Sequence, residues 1–578
     1  MRNAEIAWAL YQIADLLDFK GEEFFKTRAY RRAARAIIGL DRPVADLYAS
    51  GELKNVPNLG KNIIAKIGEM LSTGECSLHR ELKQQIPVTV LDLMALPGLG
   101  PKRAKMLYEQ LGVTSIDELE QAARGRKVRG LPGMGVKTEI NIIHHIGLLK
   151  KKAHSLPLGA ARELAAQLGE YLEQLAAVRK STVAGDIRRW AEVVYSVDFI
   201  VLADHMEEAG DIIESFITHP VLGEVLWREP DRVRTTSRWG VPVELVVVTR
   251  ERYWPALLWA TGSRSHVRRL QLRAWKRGWR LDAHRLVSRS DGQAARVDSE
   301  EAIYRLLGLQ YVVPELRENN GEISAAAGDR LPRLLDLEDI RGDLHMHTKW
   351  SDGLGSIEEM ARRAREKGYS YIAVTDHSPS LKIARGLSPE RLLAQFERIS
   401  ALNEQWDDFH ILTGVEVDIL ADGKLDHMDE VLARANVVIA SVHSGFKQDR
   451  DTITRRIKAA IENEHVNIIG HPTGRLLGYR ESYAVDVEEI IETAARYNKV
   501  LEINSSPDRL DLNDYYVQLA RESGVCIAIN TDAHDLRRMD EIIYGVSVAR
   551  RAWLEPRHVI NTLPLPELLQ VLRGESRV

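Results

Sequence analysis

The sequence predicts a multidomain α/β protein, with helical repeats in front, an α+β middle and alternating strands and helices behind. Three observations carry that prediction. Short Val- and Ile-rich runs in the C-terminal third each end in a histidine or an acid, with helix-patterned stretches between them. A P-x-x-G turn followed by an amphipathic stretch recurs three times before residue 150. And 578 residues exceed what one hydrophobic core organises.

Composition narrows the class. The hydrophobic share of 44% and the charged share of 28% are those of ordinary soluble chains, which argues against disorder. No apolar run reaches the roughly 18 residues of a bilayer span. The opening MRNAEIAWALYQIADLLDFKGEE alternates charge with apolar residues and reads as an amphipathic helix, not a signal peptide. Only Cys76 and Cys526 are present, so a disulfide framework is not expected and a reducing, cytoplasmic setting is. A formal charge of −4 leaves room for local basic patches.

Taken in order, residues 1–85 read as helical, with KTRAYRRAARAI (26–37) a basic amphipathic helix. The repeated turns lie in VPNLGKNIIAKIGEML (56–71), LMALPGLGPKRAKMLYEQL (93–111) and GLPGMGVKTEINIIHHI (130–146). Glycine lets a backbone come close to a ligand, and the amides that open the following helix point at an anion. Gly60, Gly98, Gly100, Gly133 and Gly135 mark such edges, with Lys61, Lys102 and Lys137 just beyond. The anion indicated is a nucleic-acid phosphate. These units resemble helix-hairpin-helix motifs, which grip DNA backbones without reading sequence.

The C-terminal third is organised around RGDLHMHTKWSDG (341–353). His345 and His347 are two apart, so in a strand both face one side, with Asp352 beyond. Imidazole and carboxylate together suit Zn, Mn or Fe. YIAVTDH then ends at Asp376 and His377, HILTGVEVD carries Glu416 and Asp418, VVIASVHS ends at His443, VNIIGHP at His471, KVLEINSS carries Glu502 and Asn504, and CIAINTDAH ends at Asp532 and His534. Helix patterns such as 356–368 and 388–404 separate the runs, which predicts a parallel sheet, open or closed into a barrel. Catalysis sits at the C-terminal ends of such strands. His410 and His427 lack that placement and read as structural or exposed.

GDLHMHTKWSDG, TDHS, GVEVDI, SVHSG, GHPTGR and NTDAHD resemble the motifs of the PHP (polymerase and histidinol phosphatase) domain. The resemblance implies a distorted (β/α)7 barrel holding up to three divalent metals, Mn2+ or Zn2+ or Fe2+. By position, His345, His347, Glu416 and Asp532 would hold one metal, and Glu416 would bridge to a second with His443 and His471. Asp352, His377 and His534 would hold the third; the family often has histidine where Asp352 stands. Such clusters generate hydroxide and neutralise phosphate, the chemistry of phosphoester hydrolysis. Arg475 and Arg509, just past strand ends, are candidate phosphate clamps.

AGDIRRWAEVVYSVDFIVLAD (184–204), GVPVELVVV (240–248) and LLWATGSRSHVRRLQLRAWKRGWRL (257–281) resemble the palm and thumb of family X DNA polymerases. The whole chain thus resembles the bacterial family X polymerase/3′–5′ exonuclease architecture. This resemblance implies a lyase-like helical domain 1–85, a fingers-like domain 86–150, a nucleotidyltransferase-like palm 151–261, a thumb 262–318, a linker 319–337 and the PHP domain 338–578.

The palm departs from the family pattern. The Asp-x-Asp pair reads Ser196-Val197-Asp198, so one ligand of the two-metal site is lost. The third acid is Glu244, the triphosphate-contacting Gly-Ser is Gly185-Asp186, and Tyr195 replaces a glycine. Arg189 and Gly262 remain at nucleotide-contacting positions. Templated transfer is therefore expected to be weak or lost, and Mg2+ or Mn2+ at the palm is expected only if that site works; Asp186 is the alternative ligand in place of Ser196. Lys66 stands where the related repair polymerases carry a Schiff-base lysine. The function indicated is a DNA-repair nuclease acting on gapped, nicked, abasic or 3′-ended DNA. The alternatives are an active gap-filling polymerase with a proofreading PHP domain and a DNA-end binding scaffold. A small-molecule phosphatase fits the barrel but leaves the hairpin repeats unexplained.

Overall fold

The computed structural model describes residues 3–142 and 155–575, apart from 22–23, 39, 41, 58, 88–89, 95, 97–98, 136–137 and 140. It divides into two compact units, Met1–Ala153 and His154–Val578.

The first unit is helical. Ile6, Leu10, Ile13 and Leu17 recur at helical spacing and are buried along helix Asn3–Lys20. They pack against Tyr30, Ala33, Ala34 and Ile37 of helix Phe24–Ile38, the predicted basic helix. On its wet face Arg31 pairs with Asp15 at 2.7 Å and Asp18 at 2.5 Å. Helices Lys61–Thr73 and Pro101–Leu111 start at Gly60 and Gly100, and neither has a side-chain cap. Arg103 ties the second turn to the third, donating to the Gly133 carbonyl at 3.2 Å. Gly98 and Lys137 lie outside the described residues.

In the second unit, strands β1 (Lys180–Val183), β2 (Val197–Leu202), β3 (Leu222–Glu229), β4 (Arg232–Ser237) and β5 (Pro242–Val248) form one sheet in the order β1-β2-β5-β4-β3. β2 and β5 are parallel and in register, which sets Asp198 beside Glu244. Helices Arg250–Thr261 and Arg264–Lys276 follow.

Seven further strands run in simple sequence order, all parallel: β6 (Gly342–Asp343), β7 (Tyr371–Val374), β8 (His410–Asp418), β9 (Val437–Ser441), β10 (Ile468–Ile469), β11 (Val500–Asn504) and β12 (Ile527–Asn530). A parallel bridge between Met346 and Ala533 brings the first strand's exit against the last, so the sheet closes on itself. The predicted (β/α)7 barrel is present. Its helices begin where the sequence puts caps: Ser356 and Glu359 form a capping box on Ile357–Glu366, and Ser388 caps Pro389–Asn403. The strands are buried on both faces, as their apolar runs require.

Residues 319–337, read as a polar linker, are not free chain. They include helix Glu322–Ala327, whose Glu322 is fully buried and accepts from His266 Nδ1 at 2.6 Å. Buried apolar residues of the palm and of the barrel belong to one continuous core, from Leu158 and Phe199 through Ile372 and Ile529.

Candidate functional site

The nine proposed metal ligands gather at one end of the barrel, eight of them near or just past a strand's C-terminal end and Asp352 in the turn beyond β6. His345 and His347 follow β6, His377 follows β7, Glu416 lies within β8, and His443, His471, Asp532 and His534 follow β9, β10 and β12. β6 itself is only two residues, so the same-side relation of His345 and His347 comes from extended chain beyond the strand. Asp532 and His471 sit at φ 54 and φ 26, left-handed conformations that non-glycine residues hold only when their surroundings impose them.

Glu416 is the hub. Its Oε1 lies 3.0 Å from His471 Nε2, 3.3 Å from His443 Nε2 and 3.5 Å from His345 Nε2. Its Oε2 lies 2.7 Å from His377 Nδ1 and 3.6 Å from His347 Nε2. Asp532 Oδ1 is 3.1 Å from His347 Nε2 and 3.6 Å from His345 Nε2. Asp352 Oδ1 is 3.5 Å from His534 Nε2 and 3.6 Å from His377 Nε2. Three overlapping groups result: His345, His347 and Asp532; His377, Glu416 and His443; and His347, Asp352, His377 and His534. The sharing of His347 and His377 between groups was not foreseen from the sequence.

The donor set fits divalent metals by a direct test. His345 Nε2, both nitrogens of His347, His377 Nδ1, His471 Nδ1 and Glu416 Oε2 are buried without a hydrogen bond. His377 Nδ1 and Glu416 Oε2 are close yet misaligned for a mutual bond, as lone pairs converging on a third point are. Unpaired buried polar atoms are costly unless something else satisfies them.

A second layer of carboxylates surrounds the cluster, and two of them, Glu502 and Asp418, orient rings. Glu502 accepts from His345 Nδ1 at 2.7 Å and from the His471 backbone at 2.7 Å. Asp418 holds His443 Nδ1 at 2.5 Å. Asp376 gathers Thr348, Ser351 and Gln395. In the sequence, Glu502, Asp418 and Asp376 stand in their apolar runs with nothing local to mark these roles. The charges of the cluster act on one another. Burial opposes the protonation of His443, but Glu416 and Asp418 raise it to about 10; Asp352 and Asp532 likewise raise His534 to about 9. His347 is pushed down to about 3, by burial and then by His377 and His534. Glu416 and Asp532 are held well below the ordinary carboxylate range by the histidines, against burial.

Arg509 Nε lies 3.7 Å from Asp532 Oδ2, at the rim of the cluster. Arg475 is a correction. Its Nε donates to the Arg509 carbonyl at 3.0 Å, and its Nη1 and Nη2 engage Glu192 of the palm at 3.3 and 2.6 Å. Nη2 also donates to the Leu510 carbonyl, so this guanidinium has no face left for a phosphate. His410 and His427 stay outside the cluster, as expected.

The palm acids line a separate cleft of about 930 Å3 with Gly185, Asp186, Arg189, Tyr195, Ser196 and Gly262. Gly185 sits at φ 59, and a Cβ there would fall 2.2 Å from Asp198 Oδ2. Ser196 donates its hydroxyl to Asp198 at 2.6 Å, and Arg234 pairs with Glu244 at 3.0 Å. Burial, with Glu244 and Asp186 nearby, pushes Asp198 up to about 6. Asp186 is held by Arg189 at 2.6 Å and by the Tyr195 backbone at 3.0 Å. Arg189, expected at a nucleotide phosphate, instead divides its donors among Asp186, Glu318 and the Thr261 carbonyl.

In the first unit Lys66 is half-buried within helix Lys61–Thr73, close enough to Glu69 for their charges to interact.

Four family models match in chain order: a helix-hairpin-helix domain over 1–76, a SAM-like helix-hairpin-helix tandem over 90–147, a DNA polymerase beta thumb over 256–318 and a PHP domain over 343–506. Over 575 residues the chain is 37% identical to the DNA polymerase/3′-5′ exonuclease PolX of Bacillus subtilis, covering 99% of this chain and 100% of that protein. The chain belongs to the PolX family. The barrel of this PolX chain is also similar to smaller proteins: a probable phosphatase of a Thermoanaerobacter species, 35% identical over 234 residues (38% of this chain, 89% of the relative), and the probable phosphatase YcdX of Escherichia coli, 28% identical over 232 residues (38% and 90%). The expected family, fold class and DNA-binding modules are thereby borne out. No described helix is long and apolar enough to cross a membrane.

Proposed function

We propose that this PolX chain is a DNA-repair nuclease whose barrel hydrolyses DNA phosphodiesters in the 3′–5′ direction, while its palm has little or no nucleotidyl transfer. The observation that carries the reading is the contrast between the two sites. In the barrel, eight residues group within ligand reach and His471 joins them at Glu416, with buried ligand atoms left unpaired. In the palm, the remaining acids are each engaged by a neighbour, Asp198 by Ser196 and Glu244 by Arg234.

His345, His347 and Asp532, Glu416 with His443 and His471, and Asp352 with His377 and His534 are the residues that would hold divalent ions, Mn2+ or Zn2+ or Fe2+. Bound there, such ions supply an acidified water and neutralise phosphate charge. The chain's own residues do the rest. Glu502 and Asp418 fix which ring nitrogen of His345 and His443 faces the centre. Arg509 is placed to hold a phosphate oxygen at the rim. The uncapped helix starts at Gly60 and Gly100 offer amides to the DNA backbone, with Lys61 and Lys102 beside them. One hydroxide-generating cluster can serve all three reactions, so removal of 3′-phosphates, in line with the barrel's relatives being named as probable phosphatases, and cutting at abasic sites belong to the same proposal. The substrates are gapped, nicked, abasic or 3′-ended DNA, and the setting is the cytoplasm.

In Mn2+ a 5′-labelled single strand should be shortened by the wild-type chain and left intact by His345→Ala and by chelator; shortening that survives His345→Ala would overturn the reading. The name of the Bacillus subtilis relative favours a second reading, an active polymerase with a proofreading barrel. Schiff-base chemistry at Lys66 stays a candidate. Borohydride trapping on an abasic substrate, lost in Lys66→Ala, is the outcome that would establish it.

A further inference from the structure

A part-buried ion pair joins the palm to the barrel, and it leads to the metal cluster. Glu192 precedes the short palm strand Val193–Val194, and its backbone carbonyl accepts from Leu158 at 3.0 Å, fixing the start of helix Leu158–Glu173. Its carboxylate grips Arg475 in a two-pronged pair at 2.6 and 3.3 Å. Arg475 carries the contact inward. It donates to the carbonyls of Arg509 and Leu510, the loop that follows β11. That loop holds Arg509 Nε 3.7 Å from Asp532 Oδ2.

Two further contacts clamp the same loop. Asp511 accepts from the Thr473 amide at 3.0 Å, which ties the loop to the segment carrying His471. The palm helix also presses on it: a Cβ at Gly159 would sit 2.7 Å from Pro507 Cβ, so only glycine permits that approach. The loop is held between the palm and the strand ends that bear the ligands.

We infer that Glu192 and Arg475 are positioning residues of the barrel's hydrolytic centre, setting from the palm the loop that aims Arg509 at the phosphate. Neither touches the metal cluster. A bidentate guanidinium–carboxylate pair fixes direction as well as distance, which suits this role. The inference rests on the barrel being the hydrolytic centre. It also gives the palm a use that survives loss of its own chemistry.

The test is a double-mutant cycle on the full chain at saturating Mn2+. KM and kcat for shortening of a 5′-labelled single strand are measured for wild type, Glu192→Gln, Arg509→Ala and the double variant. An exposed palm pair, Arg179–Asp204, supplies the control variant Arg179→Gln. Glu192→Gln should raise KM roughly fivefold or more with a smaller change in kcat, and should add nothing in the Arg509→Ala background. An equal further loss in that background, or no loss from Glu192→Gln at all, overturns the role. If Glu192→Gln lowers the melting point below the assay temperature, Arg475→Lys carries the same cycle. His345→Ala, run alongside, separates the two claims. Shortening that survives it removes the hydrolytic reading, whereas its loss with an additive cycle removes only the positioning role.

Discussion

Glu502→Gln changes one atom of a buried carboxylate and should uncouple two metal ligands. Three donors face that carboxylate: His345 Nδ1 at 2.7 Å and Asn530 Nδ2 at 3.0 Å on Oε1, and the His471 amide at 2.7 Å on Oε2. An amide has one acceptor oxygen, so no orientation of glutamine serves both sides. With its nitrogen toward His471, two N–H groups meet head-on. With its nitrogen toward His345, the glutamine can donate only if the ring moves its proton from Nδ1 to Nε2. Nε2 is the atom that faces Glu416 and Asp532, and a protonated nitrogen cannot bind a metal. Asn530 cannot turn to help, because its Oδ1 accepts from Leu344 at 3.1 Å and from Asn561 at 3.2 Å.

Loss of such an outer partner costs about 10–100-fold in metal affinity, or about 1.4–2.7 kcal/mol at 1.36 kcal/mol per decade. Chelator-stripped protein titrated with Mn2+, with strand shortening followed against free Mn2+, gives the value. The half-saturating Mn2+ concentration should rise about 10–100-fold, and activity should largely return at saturating metal. An unchanged Mn2+ dependence would refute the tautomer argument and leave Glu502 a mere packing residue.

The metal-free chain should also lose stability with rising pH. His443 and His534 gain protons on folding, with values near 10 and 9 against 6.5 unfolded, so their stabilisation is complete below about 6.5 and lost as pH climbs through 9 and 10. Melting points in chelator should fall over that window, while in Mn2+ the trend should flatten or reverse, because loading releases those protons. In the palm, Ser196→Asp replaces a donor to Asp198 with a like charge, and Asp198 is already raised to about 6. This variant should lower metal-free stability by about 1–3 kcal/mol near neutral pH, read as a melting-point drop that added Mg2+ does not fully restore. Lys61→Ala with Lys102→Ala should weaken duplex binding and reduce the slope of log affinity against log salt by about 2; an unchanged slope would remove the hairpin phosphate contacts.

The barrel was legible because its strands are short, apolar and buried on both faces, so any polar residue at a strand end stands out. The same rule misplaced Arg475, which follows a strand end but turns to Glu192, 283 residues earlier in the chain. Pairings at that range leave no local trace. Glu502 is likewise 157 residues from His345, and nothing around KVLEINSS marks it as the partner of that ring. Residues 319–337 looked like a linker because they are polar. Glu322 is nonetheless buried, since His266 and the Asn319 amide receive its charge. The palm substitutions were visible at Ser196 and Asp186. Their consequence for Arg189 was not, because Glu318 and Thr261 reach it only in the folded chain.

The most direct measurement uses a 5′-labelled primer on a one-nucleotide gap in Mn2+, with and without nucleotides, for the wild-type chain and His345→Ala. Shortening by the wild type that disappears in His345→Ala, with no templated lengthening in either, is the predicted result. Templated addition of one base by the wild type would contradict it, and would mean that the palm acids assemble a working metal site despite Ser196.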